Sequence, residues 1–268
     1  MASQIIHVDT SYGKLALRSA GSGSQVPLLL IHGNSSGSEI FRPIFAREQP
    51  SSRRVLALDL PGYGESANAT NPETTYTMPA YAKAAVEVLQ KLDIKEVVVV
   101  GWSLGGHIAV EMLPLFPGIK GIMIIGALLC PIFETPLNDE RTRWNMNPNL
   151  SEEDLTMFAK GGTGAYEEWM AKAAIRTDPK ARQVLFTNLG TGDCSDQQKL
   201  VAETKVPTAV VVGTAEPHLF NDAIKALPYG ALWSGKVIEI KDGQHCPLWE
   251  YPQEVLPVLA KFLDDVAA

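Results

Sequence analysis

The chain has 268 residues, of which 46% are hydrophobic and 20% are charged. This composition is too apolar for a disordered protein, and the length is sufficient for one large hydrophobic core. The formal net charge of -7 at pH 7 argues against nucleic acid and against an anionic membrane surface as partners.

The first residues have neither the basic nor the apolar segment of a secretory signal, and no later stretch approaches the roughly eighteen apolar residues of a membrane helix. The cysteines Cys130, Cys194 and Cys246 are odd in number and widely separated, so they fit neither a disulfide framework nor a zinc site. We therefore expect a cytoplasmic protein that needs no metal and no other cofactor.

Residues 5–8 and 14–17 are joined by turn residues and predict an antiparallel pair of strands at the edge of a sheet. Six later runs are short and mostly apolar, which is typical of parallel strands that are buried on both faces. These runs are 27–31, 55–58, 97–100, 122–125, 208–212 and 237–240. Helical patterns lie between them, notably at 81–92, 104–115 and 252–266. This alternation of strands and helices predicts a mostly parallel, doubly wound α/β sheet.

The segment from about residue 128 to about residue 205 interrupts the alternation, because it contains no convincing strand. A long insertion in a compact domain is usually functional or disordered, and this one is too rich in aromatic residues for disorder. We interpret residues 128–205 as a helical cap on a core made of residues 1–127 and 206–268. Some of its aromatic side chains are expected to line a substrate pocket, while the alternative is that they only fill the cap's own core. The candidates in the cap are Phe133, Trp144, Phe158 and Trp169.

Gly101-Trp102-Ser103-Leu104-Gly105 follows a run of four valines and precedes a helical pattern. A G-x-S-x-G sequence between a strand and a helix places its serine on a tight, strained turn, with the hydroxyl exposed above the sheet. The two glycines let the strand and the helix approach without a clash between Cβ atoms. The sequence therefore predicts Ser103 as a nucleophile.

His245 is the predicted general base, because it lies in a loop between the last predicted strand and the last predicted helix. In hydrolases with this serine turn the histidine follows both the nucleophile and the acid, and the pKa of an imidazole lies near neutral pH. His7 lies in the edge strand, His32 in the loop after the first central strand, and His107 on a helix. His218 is either a pocket residue or part of a surface loop.

The acid of the site is expected in the loop after residues 208–212, where a carboxylate would hold the histidine in its productive tautomer. Glu216 occupies that loop. Asp222 is the alternative, although it lies where the next helix is predicted. A third placement, after residues 122–125, finds no acid before Glu134.

The anionic oxygen of an acyl-transfer intermediate is usually bound by two backbone N–H groups. One comes from the loop after the first central strand and the other from the residue after the nucleophile, which here are Asn34 and Leu104. The segment 59–66 is a glycine- and proline-containing turn, and we expect it to support the pocket without taking part in the chemistry.

Together these motifs resemble the metal-independent N-acyl-homoserine lactonases of the α/β-hydrolase superfamily. The resemblance rests on residues 32–36, 59–62, 101–107 and 216–217, and it extends to 176–178 and 232–236. It implies the α/β-hydrolase fold and a Ser-Glu-His triad, which supports Glu216 over Asp222. Phe158 stands where those enzymes carry a tyrosine that contacts the substrate.

The resemblance predicts a serine hydrolase that opens N-acyl-homoserine lactones or related lactones through an acyl-enzyme, a quorum-quenching activity. Its expected partner is a small ester or lactone. The alternatives are a general carboxylesterase with the same triad and a small-molecule receptor that keeps the hydrolase fold. Dehalogenases and epoxide hydrolases are disfavoured, because both need an aspartate in place of Ser103.

Overall fold

A computed structural model describes residues 3–46, 53–131, 147–161, 163–191, 194–217 and 221–267. These residues form an eight-stranded sheet in the order β1-β2-β4-β3-β5-β6-β7-β8. The strands are β1 (Gln4–Thr10), β2 (Gly13–Ala20), β3 (Gln25–Ile31), β4 (Arg53–Leu58), β5 (Val97–Trp102), β6 (Ile119–Ile125), β7 (Thr208–Gly213) and β8 (Ile238–Ile240). β2 is antiparallel to β1 and to β4, and every other neighbouring pair is parallel.

The helices alternate with these strands along the chain. They are α1 (Arg42–Ala46), α2 (Pro72–Thr75), α3 (Met78–Lys91), α4 (Leu104–Glu111), α5 (Glu152–Gly161), α6 (Glu168–Arg176), α7 (Pro179–Thr191), α8 (Gln197–Glu203), α9 (Asn221–Ala226), α10 (Pro247–Glu250) and α11 (Pro252–Ala267). Short 3-10 turns lie at Ser38–Phe41 and Trp233–Gly235. The predicted α/β-hydrolase fold is confirmed by this mostly parallel sheet with helices between its strands.

The apolar runs form the centre of the sheet because alternate residues of each strand pack into different hydrophobic cores. In β5, Val97 and Val99 pack in one core together with α3 and α4. Val98 and Val100 pack in a second core together with α11. All residues of β5 and β7 are therefore buried. The predicted edge pair is also confirmed, since β1 ends the sheet and pairs with β2 in antiparallel register.

The predicted helix over residues 104–115 is wrong beyond Glu111, where α4 ends. The next residues continue as turns, in which the N–H of Leu113 donates to Val110 and that of Leu115 donates to Met112. Pro114 has no N–H to donate and restricts the residue before it, which ends regular helical bonding here.

Between β6 and β7, the described residues contain the helices α5 to α8 and no strand. Two contacts fasten this part to the loop after β4: the N–H of Asp178 donates to Gly62 over 2.8 Å, and Arg176 Nη2 donates to the carbonyl of Ser66 over 2.7 Å. The division into a core and a cap of residues 128–205 stays a prediction. Among the described residues, no helix combines the length and the apolar character needed to cross a membrane.

Candidate active site

Ser103 lies at the junction of β5 and α4, with a strained backbone at φ 51° and ψ -117°. Such a conformation costs a residue other than glycine on the order of 1–3 kcal/mol, so the surroundings must impose it. Its N–H donates to the carbonyl of Ile125 on β6 over 2.8 Å, and its carbonyl accepts from the N–H of Gly106 over 2.8 Å. These bonds hold the serine at the carboxyl end of the central strands.

The turn around Ser103 requires glycine on both sides. A Cβ atom on Gly101 would lie 2.0 Å from the carbonyl oxygen of Gly105, and one on Gly105 would lie 1.9 Å from the carbonyl oxygen of Ile31. Real Cβ atoms do not approach other atoms so closely. The close approach of strand and helix that the G-x-S-x-G pattern predicts is therefore present in the structure.

Three side chains from three separate loops meet at this point. Nε2 of His245 lies 3.0 Å from Oγ of Ser103, and Nδ1 of His245 lies 2.7 Å from Oε2 of Glu216. The Glu216 side chain is 1% exposed and that of His245 is 13% exposed. Because a carboxylate only accepts hydrogen bonds, Nδ1 carries the proton in this contact and Nε2 is left with its lone pair toward the serine. The structure thus brings the predicted nucleophile, base and acid together.

Asp222, the alternative acid, lies in the first turn of α9. Its side chain is 99% exposed, and it forms an ion pair with Lys225 over 3.2 Å. The carboxylate that contacts His245 is that of Glu216.

The backbone of His245 is held from the serine side of the site. Nε1 of Trp102 donates to the carbonyl of His245 over 2.8 Å, and the two rings lie 5.7 Å apart. Gly126 has φ +58°, and a Cβ atom on it would lie 2.7 Å from the same carbonyl oxygen. Neither Trp102 nor Gly126 was predicted from the sequence as a residue that positions His245. The one indication in the sequence was that Trp102 directly precedes the predicted nucleophile Ser103.

The two predicted oxyanion donors lie in loops at the same end of the sheet. Leu104 is the first residue of α4, so its N–H has no acceptor within the helix. Asn34 follows β3, and the next residue, Ser35, has φ 54°. The side-chain oxygen of Asn34 accepts from the hydroxyl of Tyr63 over 3.1 Å. The segment 59–66 therefore contacts the loop that carries Asn34.

The polar groups of segment 59–66 bond to the protein itself. Asp59 is 3% exposed and accepts from the N–H groups of Ser38 over 2.6 Å and Glu65 over 3.0 Å. The hydroxyl of Ser66 donates to the carbonyl of Asp59 and accepts from the N–H of Ala16. These contacts join the loop after β4 to the loop after β3 and to β2. Segment 59–66 thereby supports the loop after β3.

His32 has both ring nitrogens engaged by the backbone. Nε2 accepts from the N–H of Leu60 over 3.1 Å, and Nδ1 lies 2.7 Å from the carbonyl oxygen of Gly33. Burial lowers the pKa of this imidazole, which is fully enclosed. A neutral His32 fixed in this way supports the loop after β3.

His107 and Cys246 are also buried. Nδ1 of His107 contacts Oε1 of Gln197 at 2.7 Å, and burial lowers the pKa of the ring. Burial raises the pKa of the Cys246 thiol, which keeps it protonated and packed in the second core. In the part of the chain that the structure describes, no group of three or more His, Cys, Asp and Glu side chains is arranged to hold a metal ion.

The predicted pocket residues are described only in part. Phe158 on α5 and Trp169 on α6 are half-buried. The Trp169 ring packs edge-to-face on Trp249, with centroids 5.2 Å apart, and its Nε1 is buried without an acceptor among the described residues. Three further candidates lie outside the described residues, namely Phe133, Trp144 and His218.

Comparison with known proteins gives a family and several relatives. Residues 28–258 match the model of the alpha/beta hydrolase family. Two solved variants of N-acyl homoserine lactonase AidH, one complexed with N-hexanoyl homoserine and one with N-hexanoyl homoserine lactone, have TM-scores of 0.94 and 0.93. They are 36% and 37% identical, and the alignments cover 99% and 98% of this chain and 98% of each of those chains.

Relatives found by sequence are more varied. Poly(3-hydroxyalkanoate) depolymerase of Ectopseudomonas oleovorans is 30% identical over 265 residues, which cover 96% of this chain and 91% of that protein. An uncharacterized protein of Mycobacterium tuberculosis is 36% identical over 110 residues, which cover 41% of this chain and 30% of that protein. The chain thus spans less than a third of the mycobacterial relative's length.

Proposed function

The chain belongs to the alpha/beta hydrolase family, and from this membership we propose that it opens the ring of N-acyl-homoserine lactones or of closely related lactones. The observation that carries the proposal is the similarity over nearly the whole chain to lactonase AidH, which was solved with such a lactone. A lactone is a cyclic ester, so its hydrolysis needs the acyl-transfer chemistry for which a serine, a histidine and a carboxylate are suited. The activity would be of the quorum-quenching type.

In the proposed first step, Oγ of Ser103 attacks the ring carbonyl carbon while Nε2 of His245, 3.0 Å away, takes the hydroxyl proton. Glu216, 2.7 Å from Nδ1, stabilises the imidazolium that forms. The carbonyl oxygen becomes an anion and accepts from the N–H groups of Asn34 and Leu104. Loss of one such donor typically removes about 3 kcal/mol of transition-state stabilisation.

In the proposed second step, the ring C–O bond breaks and His245 gives its proton to the leaving alkoxide. In a lactone this alcohol stays tethered to the acyl-enzyme, where its high effective concentration favours reclosure of the ring. A water activated by His245 must therefore attack the acyl carbonyl before the tethered alcohol returns. The partial exposure of Ser103 and His245 supports access of this water.

We propose that the acyl chain lies under the cap formed by residues 128–205. Phe158 and Trp169 are the described residues in this proposal. The proposal also includes Phe133, Trp144 and His218, which lie outside the described residues. The Nε1–H of Trp169 has no acceptor among the residues that the structure describes, and in this proposal it donates to a carbonyl of the substrate. Each buried methylene contributes roughly 0.8 kcal/mol, so two more carbons in a fitting pocket would raise kcat/KM by about tenfold.

A substrate panel tests this proposal. Ring opening is to be followed by proton release, across N-acyl-homoserine lactones, plain lactones and p-nitrophenyl esters with matched carbon chains. We expect many turnovers per enzyme, a rise in kcat/KM of about tenfold for two added methylenes while the pocket fills, and weak discrimination between the two lactone classes. The weak discrimination is expected because Phe158 has no hydroxyl group with which to contact the amide or the ring.

Other outcomes favour the alternatives. Rapid turnover of aryl esters without detectable lactone opening would contradict the lactonase proposal and leave a general carboxylesterase. A single product per protein molecule, with no further cycles, would indicate a small-molecule receptor.

A further inference from the structure

The carboxylate of Glu250 lies at the end of α10 and holds the loop that carries His245. Oε2 of Glu250 accepts from the backbone N–H of Gln244 over 2.5 Å, and Oε1 accepts from that of Cys246 over 3.1 Å. These two amides flank His245. Because hydrogen bonds to an ionised carboxylate are roughly twice as strong as neutral ones, a single side chain fixes the backbone at the residues before and after the histidine.

The same carboxylate also contacts the segment between α5 and α6, which we name the docking segment (residues 163–165). Oε1 of Glu250 accepts from the N–H of Gly164 over 3.3 Å. A Cβ atom on Gly164 would lie 3.0 Å from Nε2 of Gln244, so the docking segment packs directly on the residue before His245. Trp249 makes a separate link, in which its Nε1 donates to the carbonyl of Ala165 over 2.8 Å.

The imidazole of His245 depends on the position of its backbone. It bridges the 2.7 Å contact with Glu216 and the 3.0 Å contact with Ser103, and neither contact tolerates a large shift. Trp102 donates to the carbonyl of His245, whereas Glu250 accepts from the amides before and after it. Loss of the Glu250 acceptors would leave the amides of Gln244 and Cys246 without their carboxylate partner and loosen the loop of His245.

We propose that Glu250 is a positioning residue whose carboxylate holds the backbone around His245, so that the imidazole is aligned as general base. One carboxylate accepts from the N–H of Gly164 and from the two amides around His245. The inference rests on the proposed role of His245, and it does not depend on whether the substrate is a lactone.

Two substitutions separate the contacts of Glu250 with the His245 loop from the contact of Trp249 with the docking segment. Glu250→Gln keeps the size of the side chain, but it replaces one of the two acceptor oxygens by an NH₂ group, which then meets an N–H donor of a flanking amide. Trp249→Phe removes the bond to Ala165 and leaves the acceptors for the His245 loop intact. Each variant is to be tested with p-nitrophenyl acetate, which has too short an acyl group to reach far under the cap, and with p-nitrophenyl octanoate.

Glu250→Gln is expected to lower kcat by about 10²-fold with both esters, with a much smaller change in KM, because a misplaced base slows the chemical step whatever the acyl chain. Trp249→Phe is expected to raise KM for the octanoate and to leave kcat for the acetate near the wild-type value. Equal losses of kcat in the two variants, or an acetate kcat within about twofold of wild type in folded Glu250→Gln, would overturn the proposal.

A measurement without substrate tests the inference even if the proposed function is wrong. The Nδ1 proton of His245, bonded to Glu216, is observable as a downfield resonance by NMR. It is expected to broaden or disappear in Glu250→Gln and to persist in Trp249→Phe, and an unchanged resonance in both variants would overturn the inference.

If the Gln variant does not fold, Glu250→Asp replaces it, since its shorter side chain cannot span the same three amides. The Asp variant must then lose more acetate kcat than Trp249→Phe, and an equal or smaller loss would overturn the proposal.

Discussion

Ser103→Ala is expected to lower kcat for esters and lactones by roughly 10⁶-fold, to the residual rate that binding and the oxyanion donors alone support. The substitution removes only Oγ, whose described contact is with His245 at 3.0 Å. The bonds that hold the turn are made by the backbone of residue 103 and are retained. Calorimetry should therefore show substrate binding by a folded variant that does not turn over.

Ser234→Ala is the matched control for this experiment. Ser234 also has a positive φ, at 57°, but it is exposed in the 3-10 turn Trp233–Gly235. Its substitution makes the same chemical change at another serine with a positive φ and is expected to leave kcat unaltered. Ester hydrolysis by Ser103→Ala at a rate near wild type would show that the nucleophile assignment is wrong.

Glu216→Gln is expected to lower kcat by about 10³- to 10⁴-fold. A glutamine cannot stabilise the imidazolium, and its NH₂ group can force the tautomer in which Nε2 carries the proton and cannot accept another. The loss should fall on kcat rather than on KM, because the carboxylate touches His245 and is 1% exposed. Steady-state kinetics with an aryl ester measures both constants.

Asp222→Asn is the corresponding control. Its side chain is 99% exposed and pairs with Lys225, so its substitution is expected to change kcat by less than about twofold. A larger loss of kcat in Asp222→Asn than in Glu216→Gln would reverse the assignment of the acid.

Local patterns predicted much of the fold because buried strands and tight turns impose local requirements. The four valines from Val97 to Val100 can satisfy two hydrophobic cores only as a central strand, which is how β5 packs. The spacing of Gly101, Ser103 and Gly105 likewise follows from backbone oxygens that would lie 2.0 Å or less from a Cβ atom on either glycine. The end of α4 was missed because the influence of Pro114 competes with an apolar pattern that continues beyond it.

The contacts that position the site were not predictable in the same way. Trp102 contacts His245, which lies 143 positions further along the chain. Only the fold brings these two residues together. Glu250 acts on backbone N–H groups, which every residue except proline possesses, so no side-chain pattern marks its partners. The contact between Tyr63 and Asn34 joins the loop after β4 to the loop after β3, and neither local sequence pattern indicates the other. The aromatic residues of segment 128–205 gave no periodic signal from which their directions could be derived.

Titration with an organophosphonate ester, read out as opening of N-hexanoyl homoserine lactone, tests the central claim most directly. The reagent phosphonylates an activated serine once and irreversibly, and mass spectrometry of peptides measures the labelled fraction of Ser103. We predict that the unlabelled enzyme opens the lactone over many cycles and that the rate falls linearly to zero as the label on Ser103 becomes complete. No lactone opening before labelling, or opening that persists when every Ser103 is labelled, would contradict the account.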